Sequence, residues 1–172
     1  MVIYCTGYRY NFPFLDSDII KVKNDGKVVT PLFEHVAHRD FLNSFFIIGL
    51  NFWAITSLLF ESQIRFAIAL IKGEASGFTE NDIKAWEGKR TRALLENNES
   101  LRHFHCFEHP STCHQWEYFD QLLKYANVKN WVPPVFSKIS MHFTEAWRKQ
   151  PCEYRKVRYK ILNEEEFEFE KI

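Results

Sequence analysis

Val2-Ile3-Tyr4-Cys5-Thr6-Gly7-Tyr8, followed by Asn11-Phe12-Pro13-Phe14-Leu15, is the stretch whose reading decides the fold. Val2 to Thr6 is rich in β-branched and aromatic side chains and stops at Gly7, which predicts a buried strand ending in a turn. Such a strand has to pair with strands from later in the chain or from a part that precedes it. Taken alone, Thr6, Gly7 and Tyr8 read as no more than a strand end turning at a glycine.

Outward from there the chain alternates short strand signals with helical ones. Asn24-Asp25-Gly26-Lys27, set between Ile19-Ile20-Lys21-Val22 and Val28-Val29, predicts a hairpin. Phe45 to Ile48 reads as a second buried strand, closed by Gly49. Ser57 to Ile71 is apolar almost all round and predicts a core helix ended by Gly73. Thr79 and Asp82 form an N-terminal capping pattern for a mostly charged helix carrying Ile83, Trp86 and Leu94 on one face. Trp116, Phe119, Leu122, Leu123 and Ala126 mark a third helix. Val135, Phe136, Ile139, Phe143 and Trp147 mark a fourth, after Pro133-Pro134. The acidic tail, Asn163 to Ile172, reads as solvated or frayed.

Composition narrows the functional classes. Hydrophobic residues make up 46% and aromatics 17% of the 172, so the chain folds rather than remaining disordered. Lys plus Arg equals Asp plus Glu at 22 each, and a chain without net positive charge lacks the field that drives nucleic-acid binding. Phe41 to Phe60 is long enough to span a bilayer, but Asn43, Ser44, Asn51, Thr56 and Ser57 interrupt it. No transmembrane segment is therefore expected. The absence of a secretory leader and the scattered cysteines (Cys5, Cys106, Cys113 and Cys152) point to free thiols in a reducing, cytoplasmic compartment. The six glycines form no Gly-x-Gly-x-x-Gly, so no pyrophosphate-gripping loop is visible.

Several motifs together carry a resemblance. The Tyr4-Cys5-Thr6-Gly7-Tyr8 segment with its Phe-Pro-Phe turn is similar to a hallmark of flavin-containing monooxygenases. Pro31-Leu32-Phe33-Glu34-His35-Val36 resembles a Leu-Tyr-Lys-His-like strand of that family. Phe45-Phe46-Ile47-Ile48-Gly49-Leu50 resembles its Phe-Ile-Gly-Leu strand end. Glu61-Ser62-Gln63-Ile64-Arg65 resembles the Glu-x-Gln-x-Arg opening of the helix packed against the flavin domain. Trp116 with Tyr118, and Glu153-Tyr154-Arg155, match late Trp-x-Tyr and Tyr-Arg positions. Their order and spacing run nearly end to end.

The resemblance implies an α/β fold: the C-terminal portion of a two-dinucleotide-binding-domain, Rossmann-like flavoprotein with a helical C-terminal extension. Residues 1–56 would be a remnant of the NADP/FAD-binding domain. Residues 57–172 would be a helical region with a terminal strand and an acidic tail. It implies FAD and NADP as cofactors, with O₂ and a small-molecule substrate oxygenated at nitrogen or sulfur, as in the N,N-dimethylaniline monooxygenase type. The Gly-rich FAD and NADPH loops of the family have no counterpart here, so the isolated chain is expected to be inactive. The hydrophobic C-terminal anchor of some members is also replaced by the acidic tail, which points to the soluble invertebrate-type members.

The residues implied to lie beside cofactor are Thr6, Gly7 and Tyr8 near NADP, and Gly49, Leu50 and Asn51 near the flavin. The backbone logic is that ligands sit at strand carboxyl ends and at helix N-termini, where a positive helix end steadies negative charge. No catalytic acid, base or nucleophile is assigned. Glu61 and Arg65 are expected to pair in an internal salt bridge. His103, His105, Cys106, His109, Cys113 and His114 lie within twelve residues but match no zinc spacing, and Pro110 breaks any shared helix, so no metal is assigned. A second class of function stays open: a cofactor-free interaction or dimerisation module derived from the family, with a homo-oligomer as its form.

Overall fold

A computed structural model describes residues 1–5, 7–107 and 115–172. They form two compact units, Met1–Lys129 and Asn130–Ile172. The change from strand to helix signals at 56/57 falls inside the first unit.

The first unit begins without the strand expected at 2–6. Residues 1–5 and 7–10 carry no regular structure, and Val2, Ile3 and Tyr4 are exposed. A strand exists only through its ladder, and among the described residues nothing pairs with this segment. The hairpin appears where Asn-Asp-Gly places it: β1 (Lys21–Lys23) pairs antiparallel with β2 (Val28–Thr30), Val22 opposite Val29. Asn24, Asp25 and Gly26 all take positive φ in its turn. A second hairpin joins β3 (Leu32–Phe33) to β4 (Ala37–His38). Its turn residues Glu34 and His35 also hold positive φ, at 50° and 60°.

The strand expected at Phe45 to Ile48 is reduced to one antiparallel bridge, Phe46 to Ala37, flanked by His38 N–H to Phe45 O at 2.9 Å and Ile47 N–H to Val36 O at 2.8 Å. Two-residue β4 offers too short an edge to extend the ladder. The described strands thus form antiparallel pairs, and no parallel sheet is present among the described residues.

Helix α1 (Thr56–Lys72) ends at Gly73, which is left-handed at φ 69° and donates to the carbonyls of Ala69 and Leu70. Leu59, Gln63, Phe66 and Leu70 turn inward at helical spacing. The helix is not buried all round as its composition suggested. Phe60, Ile64, Ile68 and Ile71 lie exposed on the opposite stripe, because within this unit only one face meets a packing partner. That partner is mainly α3 (Gln115–Tyr125), through Tyr118, Phe119 and Leu122. Phe33, from β3, sits among Phe66, Phe78 and Tyr125 at centroid distances of 5.1 to 6.2 Å. Helix α2 (Glu80–Glu96) carries the capping box: Thr79 Oγ1 accepts from the Asp82 N–H, and the Asp82 carboxylate accepts from the Thr79 N–H. Asp is long enough for this role. A single 3-10 turn, Leu101–His103, follows α2.

In the second unit α4 (Val135–Lys149) precedes a hairpin of β5 (Val157–Ile161) and β6 (Phe167–Lys171). The acidic tail is therefore not frayed. Asn163 Oδ1 accepts from the N–H groups of Glu165 and Glu166 to make the turn, and Arg158 opposite Glu170 pairs at 3.0 Å. Tyr159, Phe167 and Phe169 surround His142 of α4. Alternating Phe and Glu in the tail is a strand period, with Glu on the solvent side.

Candidate functional site

Gly7 and Tyr8 come together with Gly49, Leu50 and Asn51 at one cleft of about 740 Å³ in the first unit. Cys5, Arg9, Tyr10, Lys27, Phe52, Trp53, Arg102 and His103 complete its lining. Thr6, named with them from the sequence, lies outside the described residues.

Three anchors hold the walls. The segment after Gly7 is pinned to the first hairpin by the Tyr10 N–H to the Gly26 carbonyl at 2.8 Å and by Lys27 Nζ donating to the Tyr8 carbonyl. Tyr10 then crosses to the opposite wall, its hydroxyl donating to the Leu50 carbonyl at 2.7 Å. Burial, with the Cys106 thiol as a lesser contributor, pushes that phenol up to about 12, so it stays a donor throughout the ordinary pH range. Phe52 joins the third wall through its N–H to the His105 carbonyl at 3.1 Å.

Gln63 of α1 is the hub beneath the Gly49–Asn51 turn, and it is fully buried. Its Oε1 accepts from the Gly49 N–H at 2.8 Å; its Nε2 donates to Asn51 Oδ1 at 2.8 Å and to the Tyr118 hydroxyl at 3.1 Å. Tyr118 in turn donates to the Glu34 carbonyl at 2.6 Å. A side chain with one acceptor and two donors is thus fully used. Asn51, whose carbonyl oxygen is taken by Gln63, keeps a buried Nδ2 with no hydrogen-bond partner. Such an orphan donor in a cleft wall is costly unless a ligand or water meets it. Gly49 has φ 81°, and a Cβ there would lie 2.5 Å from Phe60 Cε1, so both backbone and space demand glycine.

His103 and His105 support the floor. Arg90 of α2 donates to the carbonyls of His103, Phe104 and Cys106 at 2.9 to 3.2 Å, clamping that turn. His105 is buried. Its Nε2 accepts from the Val29 N–H at 3.0 Å, so its proton sits on Nδ1, 2.8 Å from Nδ1 of the equally buried His35. Burial, aided by Arg90, holds His105 down at about 3; burial, His105 and Arg90 hold His35 well below its ordinary value. Both rings are neutral structural members. Glu34, partly buried next to them, is pushed up by desolvation to about 7.

The Glu61–Arg65 pair forms at 2.7 Å but on the surface, with both side chains more than 40% exposed, rather than internally. Of the His/Cys run, His105 is committed to the hydrogen bonds above, and His109, Cys113 and His114 lie outside the described residues. No group of three potential ligands stands close enough to hold a metal among the described residues. No helix among the described residues is long and apolar enough to cross a membrane.

Sequence reasoning reached the two glycine turns and missed the rest of the lining. Tyr10, Phe52, Trp53 and Arg102 belong to no motif, Lys27 stands only in the hairpin turn and His103 only in the His/Cys run, and all six converge through tertiary packing. Gln63 had been singled out in its motif, but its polar hub role becomes legible only beside Gly49 and Asn51.

The lining offers permanent cations, backbone and amide donors, and the aromatic planes of Tyr8, Tyr10, Phe52 and Trp53; among the described residues it contains no carboxylate. Trp53 is 59% exposed with φ at 56°, a conformation a bulky residue adopts only when its surroundings impose it. This set fits a phosphate-bearing ring system such as a dinucleotide: volume in the range of ligand pockets, cations for phosphate and planes for stacking.

The family description "FMO-like: Flavin-binding monooxygenase-like" matches residues 1–159. The chain belongs to this flavin-binding monooxygenase family. Flavin-containing monooxygenase FMO GS-OX-like 3 of Arabidopsis thaliana is 27% identical over 152 residues, covering 88% of this chain and 30% of the relative. FMO GS-OX-like 2 of the same plant is 30% identical over 143 residues, covering 78% of this chain and 29% of the relative. The solved structure of S-allyl-L-cysteine S-oxygenase from Allium sativum shares the fold, with a TM-score of 0.77 at 24% identity over 88% of this chain and 33% of that one. The chain therefore spans less than a third of the length of these relatives. They are plant proteins, and the invertebrate-type expectation draws no support from them.

Proposed function

We propose that this chain is the C-terminal part of a monooxygenase that uses FAD and NADPH to place one oxygen atom on a nitrogen or sulfur of a small molecule. The observation that carries the reading is the convergence of Gly7-Tyr8 and Gly49-Leu50-Asn51, two motif segments far apart in sequence, on one cation-lined cleft. The flavin and nicotinamide supply the redox chemistry when bound. Residues 1–56 would serve as a remnant of the NADP/FAD-binding domain and 57–172 as the helical region, of which Arg102 and His103 line the cleft.

The chain's own contribution is binding and orientation. Lys27 and Arg102 would attract phosphate; the Asn51 amide, with Oδ1 fixed by Gln63, would donate to a cofactor carbonyl or phosphate oxygen. Tyr8 and Trp53 would cover the rings and exclude water. The described lining holds no paired acid and base, so the reading assigns no proton transfer to it. The name of the Allium neighbour favours sulfur over nitrogen as the atom oxygenated, and a cytoplasmic setting fits such small-molecule work.

Titration of the 172-residue chain with NADP⁺, followed calorimetrically, tests the cleft. Saturable binding that weakens at least tenfold in Asn51→Leu, with the thermal midpoint held, is the expected result. The same chain with added FAD is expected to oxidise no NADPH. Steady NADPH consumption would refute its inactivity in isolation. Absence of nucleotide binding together with concentration-dependent self-association would favour the dimerisation module instead.

A further inference from the structure

In a chain whose charges balance at 22 to 22, the cleft lining carries Arg9, Lys27 and Arg102 and, among the described residues, no Asp or Glu. The three cations are not equivalent. Arg9 is neutralised on the surface by Asp25 at 2.7 Å. Lys27 directs one of its three N–H groups to the Tyr8 carbonyl, which fixes the ammonium beside Gly7, its Nζ 3.9 Å from the point a Cβ would occupy there. Two N–H groups remain for another acceptor. Arg102 stands on the 3-10 turn that Arg90 holds by its carbonyls, and it makes no ion pair among the described residues. A fixed ammonium and a free guanidinium in one lining, with the unpartnered Asn51 amide beside them in it, form a site of one sign among the described residues.

We propose that Lys27 and Arg102 together form an anion subsite that takes the phosphate or pyrophosphate of the nucleotide ligand, with Arg102 as the principal determinant of its affinity. The inference rests on the nucleotide reading of the cleft but adds a residue that no motif marks. The physical basis is that a guanidinium makes two parallel, charge-assisted bonds to a phosphate group, whereas a lysine acts as a point charge. Arg102→Lys is thus expected to recover only part of the affinity that Arg102→Gln loses. A contact between exposed groups is also screened by salt, so affinity falls as ionic strength rises.

The test uses the full 172-residue chain with two probes, inorganic pyrophosphate and NADP⁺, measured by calorimetry at low salt. The variants are Arg102→Gln, Arg102→Lys, Lys27→Gln and, as a control away from the cleft, Lys72→Gln, each checked for an unchanged thermal midpoint. The expected result is pyrophosphate binding weakened roughly tenfold by Arg102→Gln, less by Arg102→Lys, and not at all by Lys72→Gln. NADP⁺ should follow the same order. If pyrophosphate obeys that order while NADP⁺ binds no tighter than pyrophosphate, the subsite stands and the dinucleotide reading falls. If NADP⁺ binds and none of the Arg102 or Lys27 variants alters it, the subsite is overturned and the nucleotide reading survives. Failure of both probes to bind overturns the subsite as well.

Discussion

Gln63 illustrates how one side chain can decide a site it does not line. Its amide satisfies the Gly49 N–H and the Asn51 carbonyl oxygen from inside α1, and both would be left buried without partners if it were replaced by an isosteric hydrocarbon. Each such buried group costs about 1–3 kcal/mol when left unmade. Gln63→Leu is accordingly expected to lower unfolding free energy by about 3 kcal/mol in urea melts and to abolish nucleotide binding. Tyr118→Phe removes one bond to Gln63 and one to the Glu34 carbonyl but leaves the Gly49 turn supported, and should cost less. A Gln63→Leu chain that melts like the parent would remove Gln63 from its place as hub.

At the scale of elements, α1 was legible in length and in its glycine stop, but not in what surrounds it. Its sequence is apolar on two stripes, and hydrophobicity alone does not say which stripe meets α3. Gly73 at its end and Gly49, whose Cβ position faces Phe60 of the helix, separate two effects. At Gly73 a Cβ meets nothing within 4 Å, so Gly73→Ala should cost only the left-handed backbone, about 1 kcal/mol. Gly49→Ala adds the displacement of the Phe60 ring on top of the same strain, and should therefore exceed Gly73→Ala in chemical denaturation. Equal costs would mean that the ring swings aside freely. The first segment failed as a strand for a different reason: β-propensity measures fit to a pleated, half-buried surface, and Val2 to Cys5 has no such surface among the described residues. The tail was misread because its Glu content masked a period of two carried by Phe167 and Phe169.

For the molecule as a whole, the buried pair His35–His105 and the raised Glu34 set opposing pH dependences. The histidines are neutral when folded and take up protons near 6.5 when unfolded, so their contribution is complete above 6.5 and is lost as pH falls below it, for His105 toward about 3. Glu34 behaves oppositely: folded, it keeps its proton up to about 7, so stability is lost as pH rises from 4.5 through 7. Between pH 5 and 6 the two histidine protons outweigh the one on Glu34, so stability rises with pH there. Glu34→Gln should steepen this rise and raise stability at pH 8. An unchanged profile in that variant would show that Glu34 is ionised in the fold. None of this was readable from the sequence, where His35 and His105 stand 70 residues apart and meet only through Val29 and the Arg90 clamp. The same separation has a consequence for the cleft. Its described walls come from residues 5, 7–10, 27, 49–53 and 102–103, so it exists only after several long loops of chain have closed. Occupancy is then a sensor of completed folding: a ligand at a hundred times its Kd adds about 2.7 kcal/mol to the closed chain and nothing to any partly assembled form.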